Sequence, residues 1–361
     1  MKILAFPRGL ENPYQELLYE SMRRKGNVIR YVWAPTPSGT FNMATVLPQL
    51  FFWRVCRYRV FHLHWANAFA LRGGIYENKI LKRIVYSHYV LCIKTIKWLG
   101  YRLVWTAHNA LPHDPAFSDD VAARRILAKH TDLVIVHSQS TLDQLKALGV
   151  AVKKSVVIPH GSYIGVYPNT IDRAAAREKL GISNDKFVFL YFGQIRAYKG
   201  VDLLIEAYCS LSNESNQLLI AGKCSDEHLR ALLAAYAQNK NILIRDTYID
   251  DADIQVYFNA ADVVVLPFRE VSTSGSALLA FSFGKAVVVP TLGDLAYVPE
   301  SVAYKYTQGK NALMDTLQQV QQAPDLLRKK SKAALEYART LSWENIANKT
   351  QAAIHELFSS R

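Results

Sequence analysis

Two cationic side chains follow a predicted strand in the second half of the chain. The segment Leu190–Gly200 is typical of a buried strand that ends at Gly193 and is followed by a loop with Arg196 and Lys199. Open α/β sheets bind ligands beyond the carboxyl ends of their strands, and a glycine lets the backbone turn closely at that edge. Two fixed cations there suit a diphosphate, so we predict a phosphate site. The alternative for such a basic pair is a solvated surface loop.

A run of small polar residues forms a second candidate site. It follows a buried apolar stretch and precedes an apolar helix, so its last members supply the unpaired N–H groups of that helix. Such N–H groups bind anions with the help of the helix dipole, and here they belong to Ser274, Gly275 and Ser276. Ordinary N-capping by Ser272 or Thr273 is the alternative, and both can hold together.

Histidines close two predicted strands in the first half. His108 follows Leu103–Ala107, where a ring nitrogen can hydrogen-bond a sugar hydroxyl or steady charge at a reacting carbon. A structural role is the alternative for a single histidine at that place. The segment Phe61–Trp65 has the same two interpretations. Its His62 and His64 share one face of their strand, but no other cluster of ligand residues accompanies them, so we predict no metal site.

The elements around these segments alternate between strand and helix. Apolar strand-like runs are separated by stretches with helical periodicity, which predicts parallel, doubly wound sheets. The pattern stops at the polar stretch Gly161–Thr170 and then begins again, so we predict two Rossmann-like domains, residues 1–165 and 166–341. The predicted strands are Ile3–Phe6, Val60–Trp65, Leu103–Ala107, Leu133–His137, Val156–Pro159, Phe187–Phe192, Gln217–Ala221, Ile242–Arg245, Val263–Pro267 and Ala286–Pro290.

Length and charge narrow the function classes. A chain of 361 residues, half of them apolar, fits two folded domains. Residues 1–170 carry 22 Lys and Arg against 9 Asp and Glu, whereas the rest of the chain is balanced. The basic half predicts an anionic partner such as lipid head groups or a lipid diphosphate, and nucleic acid competes without a matching module. The sequence also lacks the glycine motifs of P-loop and NAD enzymes.

The apolar stretch Ile80–Leu99 predicts an amphipathic helix, Asn78–Leu99. Basic residues interrupt it, so it cannot cross a bilayer as a single span. It suits shallow contact with an anionic membrane, and the alternative is a long core helix with a solvated basic edge. The opening of the chain lacks the pattern of a secretory signal, so we expect a cytoplasmic protein, peripheral on the inner face of the membrane. The basic residues are Lys79, Lys82, Arg83, Lys94 and Lys97.

In this order the segments resemble glycosyltransferase family 4, whose members have the GT-B fold and retain the anomeric configuration. The similarity covers nearly the whole chain and is most specific in the second half. The segments that carry it are Val157–Gly161, Phe192–Ala207, Ala261–Pro267, Ala277–Lys285 and Ser342–Glu344. The resemblance implies two Rossmann-like doubly wound domains that face a cleft, with the C-terminal helix 342–361 crossing back to the first domain.

The same resemblance implies roles for both halves. The first domain would hold the acceptor, and the second would hold the nucleotide sugar, with Arg196 and Lys199 on the diphosphate and no metal or other cofactor. The glycine of the first loop, Gly9, would reach the diphosphate, and His108 would place the sugar. Ordinary packing at a strand end is the alternative for the residues expected around the base. Those residues are Asp246, Tyr248 and Ile249.

Two departures from the family pattern bear on the donor. Gln194 stands where relatives have an arginine, so Arg196 takes the phosphate role. The family's spaced pair of glutamates falls at Ser272 and Ala280, and Glu270 is near enough in sequence to compensate. The missing acids motivate an alternative from another class, a non-catalytic binding subunit with the same fold.

We therefore predict a retaining, metal-independent hexosyltransferase of cell-surface polysaccharide synthesis. The favoured donor is UDP-glucose, followed by GDP-mannose, and the acceptor is a saccharide or a lipid-linked saccharide at a membrane. A sugar phosphorylase is a further alternative, because inorganic phosphate could also sit between Arg196 and Lys199.

Overall fold

The chain forms two compact units. Unit 1 comprises residues 1–160 and 343–361, and unit 2 comprises residues 161–342. Each contains one six-stranded sheet, and all pairings among the described strands are parallel. The computed structural model describes residues 1–9, 13–33, 39–69, 79–112, 115–211, 214–270 and 275–359, with only the backbone for 39–44 and 79.

In the sheet of unit 1, the first strand pairs with the second strand on one side and with the third strand on the other. In chain order the unit contains β1 (Lys2–Phe6), α1 (Tyr14–Arg24), β2 (Val28–Tyr31), α2 (Gly39–Val55), β3 (Val60–Leu63), α3 (Lys79–Trp98), β4 (Arg102–Ala107), α4 (Asp120–His130), β5 (Leu133–Val136), α5 (Gln139–Ala147), β6 (Ser155–Val157) and the C-terminal helix (Trp343–Ser359). The strand order is β2-β1-β3-β4-β5-β6. The order reverses between β1 and β3, and loops at such a reversal form the ligand crevice of open α/β sheets.

Strand β1 shows how helices bury both faces of this sheet. Leu4 and Phe6 pack in one apolar core with side chains of α2, α3 and α4, whereas Ile3 and Ala5 pack in another with α1 and the C-terminal helix. Successive side chains of a strand point to opposite faces, so β1 needs apolar residues from Ile3 to Phe6, whereas Lys2 at its start is exposed. This explains the continuous apolar run of its sequence.

Unit 2 also contains helices around a six-stranded parallel sheet, and its strand order reverses next to its first strand. Its elements are α6 (Arg173–Leu180), β7 (Phe187–Phe192), α7 (Val201–Cys209), β8 (Asn216–Ala221), α8 (Glu227–Tyr236), β9 (Ile242–Arg245), α9 (Ile254–Ala260), β10 (Val263–Val265), α10 (Gly275–Ser282), β11 (Val287–Pro290), β12 (Ala303–Tyr306), α11 (Lys310–Gln322) and α12 (Pro324–Thr340). The strand order is β12-β11-β10-β7-β8-β9. The loop that follows β7 therefore leaves the sheet beside β10, where the order reverses.

The structure adds two strands to the sequence prediction. Both β2 and β12 are edge strands, and each carries one basic residue, Arg30 or Lys305. Charged side chains are common on sheet edges because they discourage pairing with other chains, and they break the apolar run that marks a central strand. The sequence pattern therefore favoured only the central strands and the edges β6 and β9.

Four predicted strands extend too far. Strands β3, β5, β6 and β10 end at Leu63, Val136, Val157 and Val265, so the ends of four predictions are wrong: Val60–Trp65, Leu133–His137, Val156–Pro159 and Val263–Pro267. The side chains that follow these strands belong to loops at the carboxyl edge of the sheet. Polar atoms there are free of the ladder and can meet side chains from neighbouring strands.

Candidate functional site

The loop after β7 in unit 2 is held tightly by glycines. Gly193 begins it with φ +133° and Gly200 ends it with φ +67°. A methyl group at Gly200 would lie 2.1 Å from the carbonyl oxygen of Pro267, and one at Gly222 would lie 1.9 Å from that of Gly193. Because a Cβ atom cannot come so close to a backbone oxygen, the loop keeps this path only with glycine at these places.

Two cations project from this loop. Arg196 has a buried Nε with no hydrogen-bond partner among the described residues. Burial, followed by the charge of Arg196, lowers the pKa of Lys199 to about 8, and its Nζ lies 5.5 Å from the centroid of the Phe268 ring. By contrast, Arg269 nearby pairs with Asp202 at 2.6 Å. Partly desolvated cations without a counter-charge favour the binding of an anion.

The first turn of α10 meets the same loop. A methyl group built on Gly193 would lie 3.3 Å from Ser276 Oγ and 3.4 Å from Lys199 Nζ, so these two polar groups converge on one side of the glycine. Gly275, the first residue of α10, lies beside the hydroxyl of Tyr163 in the same unit. The structure thus brings together Gly193, Lys199 and Ser276, with Arg196 on the same loop. Ser272, Thr273 and Ser274 lie outside the described residues, and Glu270 just before them is exposed.

The residues expected around a base follow β9, at the far edge of the same sheet. Asp246 Oδ1 accepts a hydrogen bond from the Cys224 N–H at 2.7 Å, and its Oδ2 accepts one from Arg230 Nε at 3.3 Å. Tyr248 is 70% exposed, and Ile249 is half-buried against the core. Asp246 therefore anchors the loop after β8, whereas Tyr248 offers an open ring surface.

In unit 1, an indole ring joins the two candidate residues Gly9 and His108. The Trp65 ring stacks on the imidazole of His108 with centroids 4.6 Å apart and planes 12° apart. A methyl group at Gly9 would lie 2.6 Å from Trp65 Cζ3, so glycine is needed there for the loop to cover the indole. Gln15 holds that loop, because its Oε1 accepts from the Gly9 N–H at 2.7 Å and its Nε2 donates to Pro7 O at 2.8 Å.

Both ring nitrogens of His108 bond to other histidines. Its Nε2 lies 3.1 Å from His64 Nδ1, and its Nδ1 lies 3.1 Å from His137 Nε2. Burial, with the neighbouring histidines adding to it, holds the pKa of His108 well below its ordinary value, so the ring is neutral. A hydrogen bond from this ring to a sugar hydroxyl therefore requires that one of these bonds opens.

Trp65, His64 and His137 were not among the predicted site residues. Each follows the end of β3 or β5, the two neighbours of β4, whose end carries His108. The signal that could have found them is their common place at the carboxyl edge of adjacent parallel strands. Among the described residues, no group of three His, Cys, Asp or Glu side chains could hold a metal ion.

Family comparisons match both units separately. Residues 14–162 match the family described as Glycosyltransferase Family 4, and residues 186–322 match Glycosyl transferases group 1. Together these matches cover most of the chain.

Similar sequences are named glycosyltransferases. The chain is 26% identical over 261 residues to a GDP-mannose:glycolipid 4-beta-D-mannosyltransferase of Xanthomonas campestris, covering 71% of this chain and 69% of the relative. It is 27% identical over 299 residues to a D-inositol 3-phosphate glycosyltransferase of Actinosynnema mirum, covering 75% of this chain and 71% of that protein.

Solved structures share the fold at low sequence identity. Sucrose-phosphate synthase from Thermosynechococcus elongatus superimposes with a TM-score of 0.78 at 17% identity, covering 100% of this chain and 99% of that one. Anabaena HepE in complex with UDP gives 0.76 at 15% identity, with 98% and 99% covered. Two parallel six-stranded sheets and these neighbours confirm the predicted two-domain α/β fold of the GT-B kind.

Proposed function

The chain belongs to glycosyltransferase family 4 and transfers a sugar from a nucleotide sugar, and on this premise we propose that the loop after β7 binds the diphosphate of the donor. The observation that carries the proposal is that two neighbouring cations of this loop, Arg196 and Lys199, are partly desolvated and lack a counter-charge among the described residues. The buried Nε of Arg196 has no hydrogen-bond partner among the residues that the structure describes, and Lys199 has a lowered pKa. A diphosphate would supply both the missing hydrogen-bond acceptor and the missing counter-charge.

The proposed chemistry is stabilisation of the leaving group without a metal. The bond between the anomeric carbon and the phosphate oxygen breaks, the acceptor oxygen bonds to that carbon, and the acceptor proton leaves with the diphosphate. Negative charge grows on the diphosphate as this happens, so Arg196, Lys199 and the N–H groups at the start of α10 act on the transition state more than on the ground state. Activity that survives EDTA supports this mechanism, and strict dependence on Mg²⁺ contradicts it.

We propose retention of the anomeric configuration, with the acceptor hydroxyl approaching the face that the diphosphate leaves. No covalent nucleophile is required in this proposal. The Xanthomonas relative is named for a β-D-mannosyl product, so the stereochemical outcome deserves a direct measurement. NMR coupling at the anomeric proton of the product decides it: an α-linked donor that gives an α-linked product supports retention, and a β-linked product overturns it.

Two donors compete for the proposed site. UDP-glucose is the donor predicted for cell-surface polysaccharide synthesis, and HepE was solved with UDP-glucose, whereas the Xanthomonas relative is named for GDP-mannose. The exposed ring of Tyr248 can stack on either base, so contacts with the base do not choose between them. Parallel turnover assays with both donors and a glycolipid acceptor identify the substrate.

The same assays test the two alternatives. A non-catalytic binding subunit binds nucleotide but transfers no sugar in the presence of a membrane fraction or a lipid-linked acceptor. A sugar phosphorylase consumes inorganic phosphate in place of the acceptor and releases a sugar phosphate. Transfer to the lipid-linked acceptor alone supports the transferase.

We also propose that unit 1 meets its acceptor at an anionic membrane surface. Apolar side chains with exposed fractions from 45% to 82% lie along α2 and α3, and Phe51 and Trp98 bring the two helices into ring contact at 5.9 Å. Exposed Arg83 and Lys94 lie on the same helix α3. We define the α2–α3 apolar face as Phe51, Phe52, Val55, Ile84, Leu91 and Trp98.

The α2–α3 apolar face combines the two alternatives that the sequence offered for helix α3. Helix α3 also packs into the core through Val85, Tyr89 and Ile93, so it has one buried and one exposed apolar side. Lys97 donates to Asp132 Oδ2 at 2.5 Å and is therefore partly used inside unit 1. Among the described residues, no helix is long and apolar enough to span a bilayer. Shallow insertion with basic residues at the rim is the contact that such a surface supports.

Co-sedimentation with vesicles tests the membrane proposal. Anionic vesicles should bind the protein and release it as salt rises, because each basic residue near the surface adds only about 1 kcal/mol and salt screens it. Val55→Glu combined with Trp98→Glu should abolish binding, whereas Leu326→Glu, at an exposed apolar position of unit 2, should not. Equal binding to neutral vesicles, or self-association of the protein through this face in place of vesicle binding, would contradict the proposal.

A further inference from the structure

Four histidines of unit 1, three of them buried and His108 partly buried, are joined by hydrogen bonds through one tyrosine. The hydroxyl of Tyr19, on α1, lies 2.9 Å from His62 Nδ1 and 2.7 Å from His64 Nε2. At the far end, Thr106 Oγ1 lies 2.8 Å from His62 Nε2. We name this set the histidine chain, and in the order of its bonds it consists of Thr106, His62, Tyr19, His64, His108 and His137.

One end of the histidine chain sets the direction of its hydrogen bonds. His137 Nδ1 lies 3.0 Å from the carbonyl oxygen of Ile158. A carbonyl oxygen only accepts, so this Nδ1 carries the hydrogen. Burial lowers the pKa of His137 to about 4, so the ring is neutral and its Nε2 carries none. That Nε2 must therefore accept a hydrogen bond from His108 Nδ1.

The donors and acceptors of the other hydrogen bonds follow in turn along the histidine chain. A neutral His108 that donates from Nδ1 accepts at Nε2, so His64 donates from its Nδ1 and accepts at its own Nε2. The Tyr19 hydroxyl then donates to His64, and its oxygen accepts from His62 Nδ1. The Nε2 of His62 accepts from the Thr106 hydroxyl. Burial lowers the pKa of His62 to about 3 and holds that of His64 well below its ordinary value, so these rings are also neutral.

We propose that the histidine chain fixes His108 in its Nδ1–H tautomer and holds its ring in place for sugar transfer, which makes Tyr19, His64 and His137 positioning residues. The proposal rests on the proposed function, and the role of His108 in placing the sugar is the one that the resemblance to the family implies. The ring that the chain fixes is also stacked on Trp65, which the Gly9 loop covers. A neutral ring at this place does not repel the positive charge that develops on the sugar.

The tautomers can be measured by nitrogen-15 NMR of the histidine rings in the full chain. Resonances are assigned with single histidine variants, and His62, His64, His108 and His137 should all show the neutral Nδ1–H form. His137→Phe removes the link to the Ile158 carbonyl. The other three rings should then reverse together to Nε2–H, because retention would leave an N–H of His108 facing the new phenyl ring, whereas reversal leaves its Nδ1 lone pair there and lets the Thr106 oxygen accept from His62 Nε2. Retention of Nδ1–H by His108 in this variant would overturn the proposal.

A second variant keeps the test decisive if His137→Phe does not fold. Tyr19→Phe interrupts the histidine chain in the middle, so His64, His108 and His137 should stay Nδ1–H while His62 changes to Nε2–H. The matched control is Tyr89→Phe, which removes another buried hydroxyl of unit 1, one that donates to Ala123 O at 2.9 Å. The control should leave all four tautomers unchanged. Mixed tautomers of His108 in Tyr19→Phe would overturn the assignment of the Ile158 end as the anchor.

Kinetics separate a positioning role from a purely structural one. His137→Phe should lower kcat by on the order of tenfold to a hundredfold while the KM for the donor changes little, since a small misplacement of a reacting group costs that much. Tyr89→Phe should retain normal kcat. Reversed tautomers with an unchanged kcat would overturn the positioning role. If the unmodified chain transfers no sugar at all, the proposed function fails, and the tautomers alone still confirm or overturn the fixed direction of the histidine chain.

Discussion

The histidine chain of unit 1 and the cationic loop of unit 2 occupy equivalent places in their sheets but have opposite hydrogen-bonding balances. Each lies at the carboxyl edge of a parallel sheet, beside the point where the strand order reverses. The imidazoles bond to one another and are neutral, whereas Arg196 Nε has no partner in the described part of the chain and Lys199 is a desolvated cation. Buried polar groups in folded proteins are usually satisfied. The polar groups of the histidine chain therefore satisfy one another, whereas the cationic loop needs a ligand to satisfy its own.

The largest expected effect is that acid destabilises unit 1 through its histidine chain. A histidine whose pKa is lowered in the folded state takes up a proton on unfolding, so the free energy of unfolding decreases as pH falls below about 6.5, the ordinary value. Each such histidine contributes roughly 1.4 kcal/mol per pH unit down to its folded pKa, which is about 3 for His62 and about 4 for His137.

Tryptophan fluorescence during urea unfolding measures this effect in unit 1 alone, because all six tryptophans of the sequence lie within residues 1–160 and 343–361. His137→Phe should make the pH dependence shallower, and His355→Gln on the exposed face of the C-terminal helix should not. A free energy of unfolding that stays constant between pH 7 and pH 5 would contradict the neutral network.

Removal of either loop cation should have the next largest effect. Arg196→Ala or Lys199→Ala should lower sugar transfer by on the order of 10²-fold, because charge on the leaving diphosphate loses a preorganised partner. Arg328→Ala removes an exposed arginine of the same unit that pairs with Asp325, and turnover should be unchanged. Near-normal turnover in both loop variants would show that unit 2 holds the diphosphate elsewhere.

The pH dependence of nucleotide binding should be a smaller effect that identifies Lys199. Its pKa is about 8 in the free protein, and a bound diphosphate raises it, so affinity should be constant below pH 8 and fall by up to about tenfold per pH unit above it. Lys199→Arg keeps its charge at these pH values and should bind with affinity that varies less. The same decline in Lys199→Arg would assign the titration to another group.

The two regions also differ in how far the sequence could predict them. Gly193, Arg196 and Lys199 lie within seven residues, so one strand end and one loop were enough to indicate a phosphate site. The histidine chain draws on α1, β3, β4 and the loops after β3, β4 and β5, and only the strand register brings its members together. Its signal in the sequence was limited to the pattern around His62 and His64, which by itself fits ordinary packing.

Asp246 shows the limit of position alone. Its place after β9 was visible from the sequence, but its bonds to the Cys224 N–H and to Arg230 depend on where the loop after β8 and helix α8 lie beside it. The edge strands β2 and β12 were missed for a related reason, since their stability comes from pairing with a central strand and not from an apolar run of their own.

The most direct test of the central claim is calorimetric titration of UDP, UMP, GDP and GMP into the protein in the presence of EDTA. The diphosphate that matches the site should bind more tightly than its monophosphate. Arg196→Ala should weaken diphosphate binding by about tenfold or more, the size expected for a charge-assisted hydrogen bond, and leave monophosphate binding unchanged. Equal affinity for diphosphates in the unmodified protein and in Arg196→Ala would contradict the account.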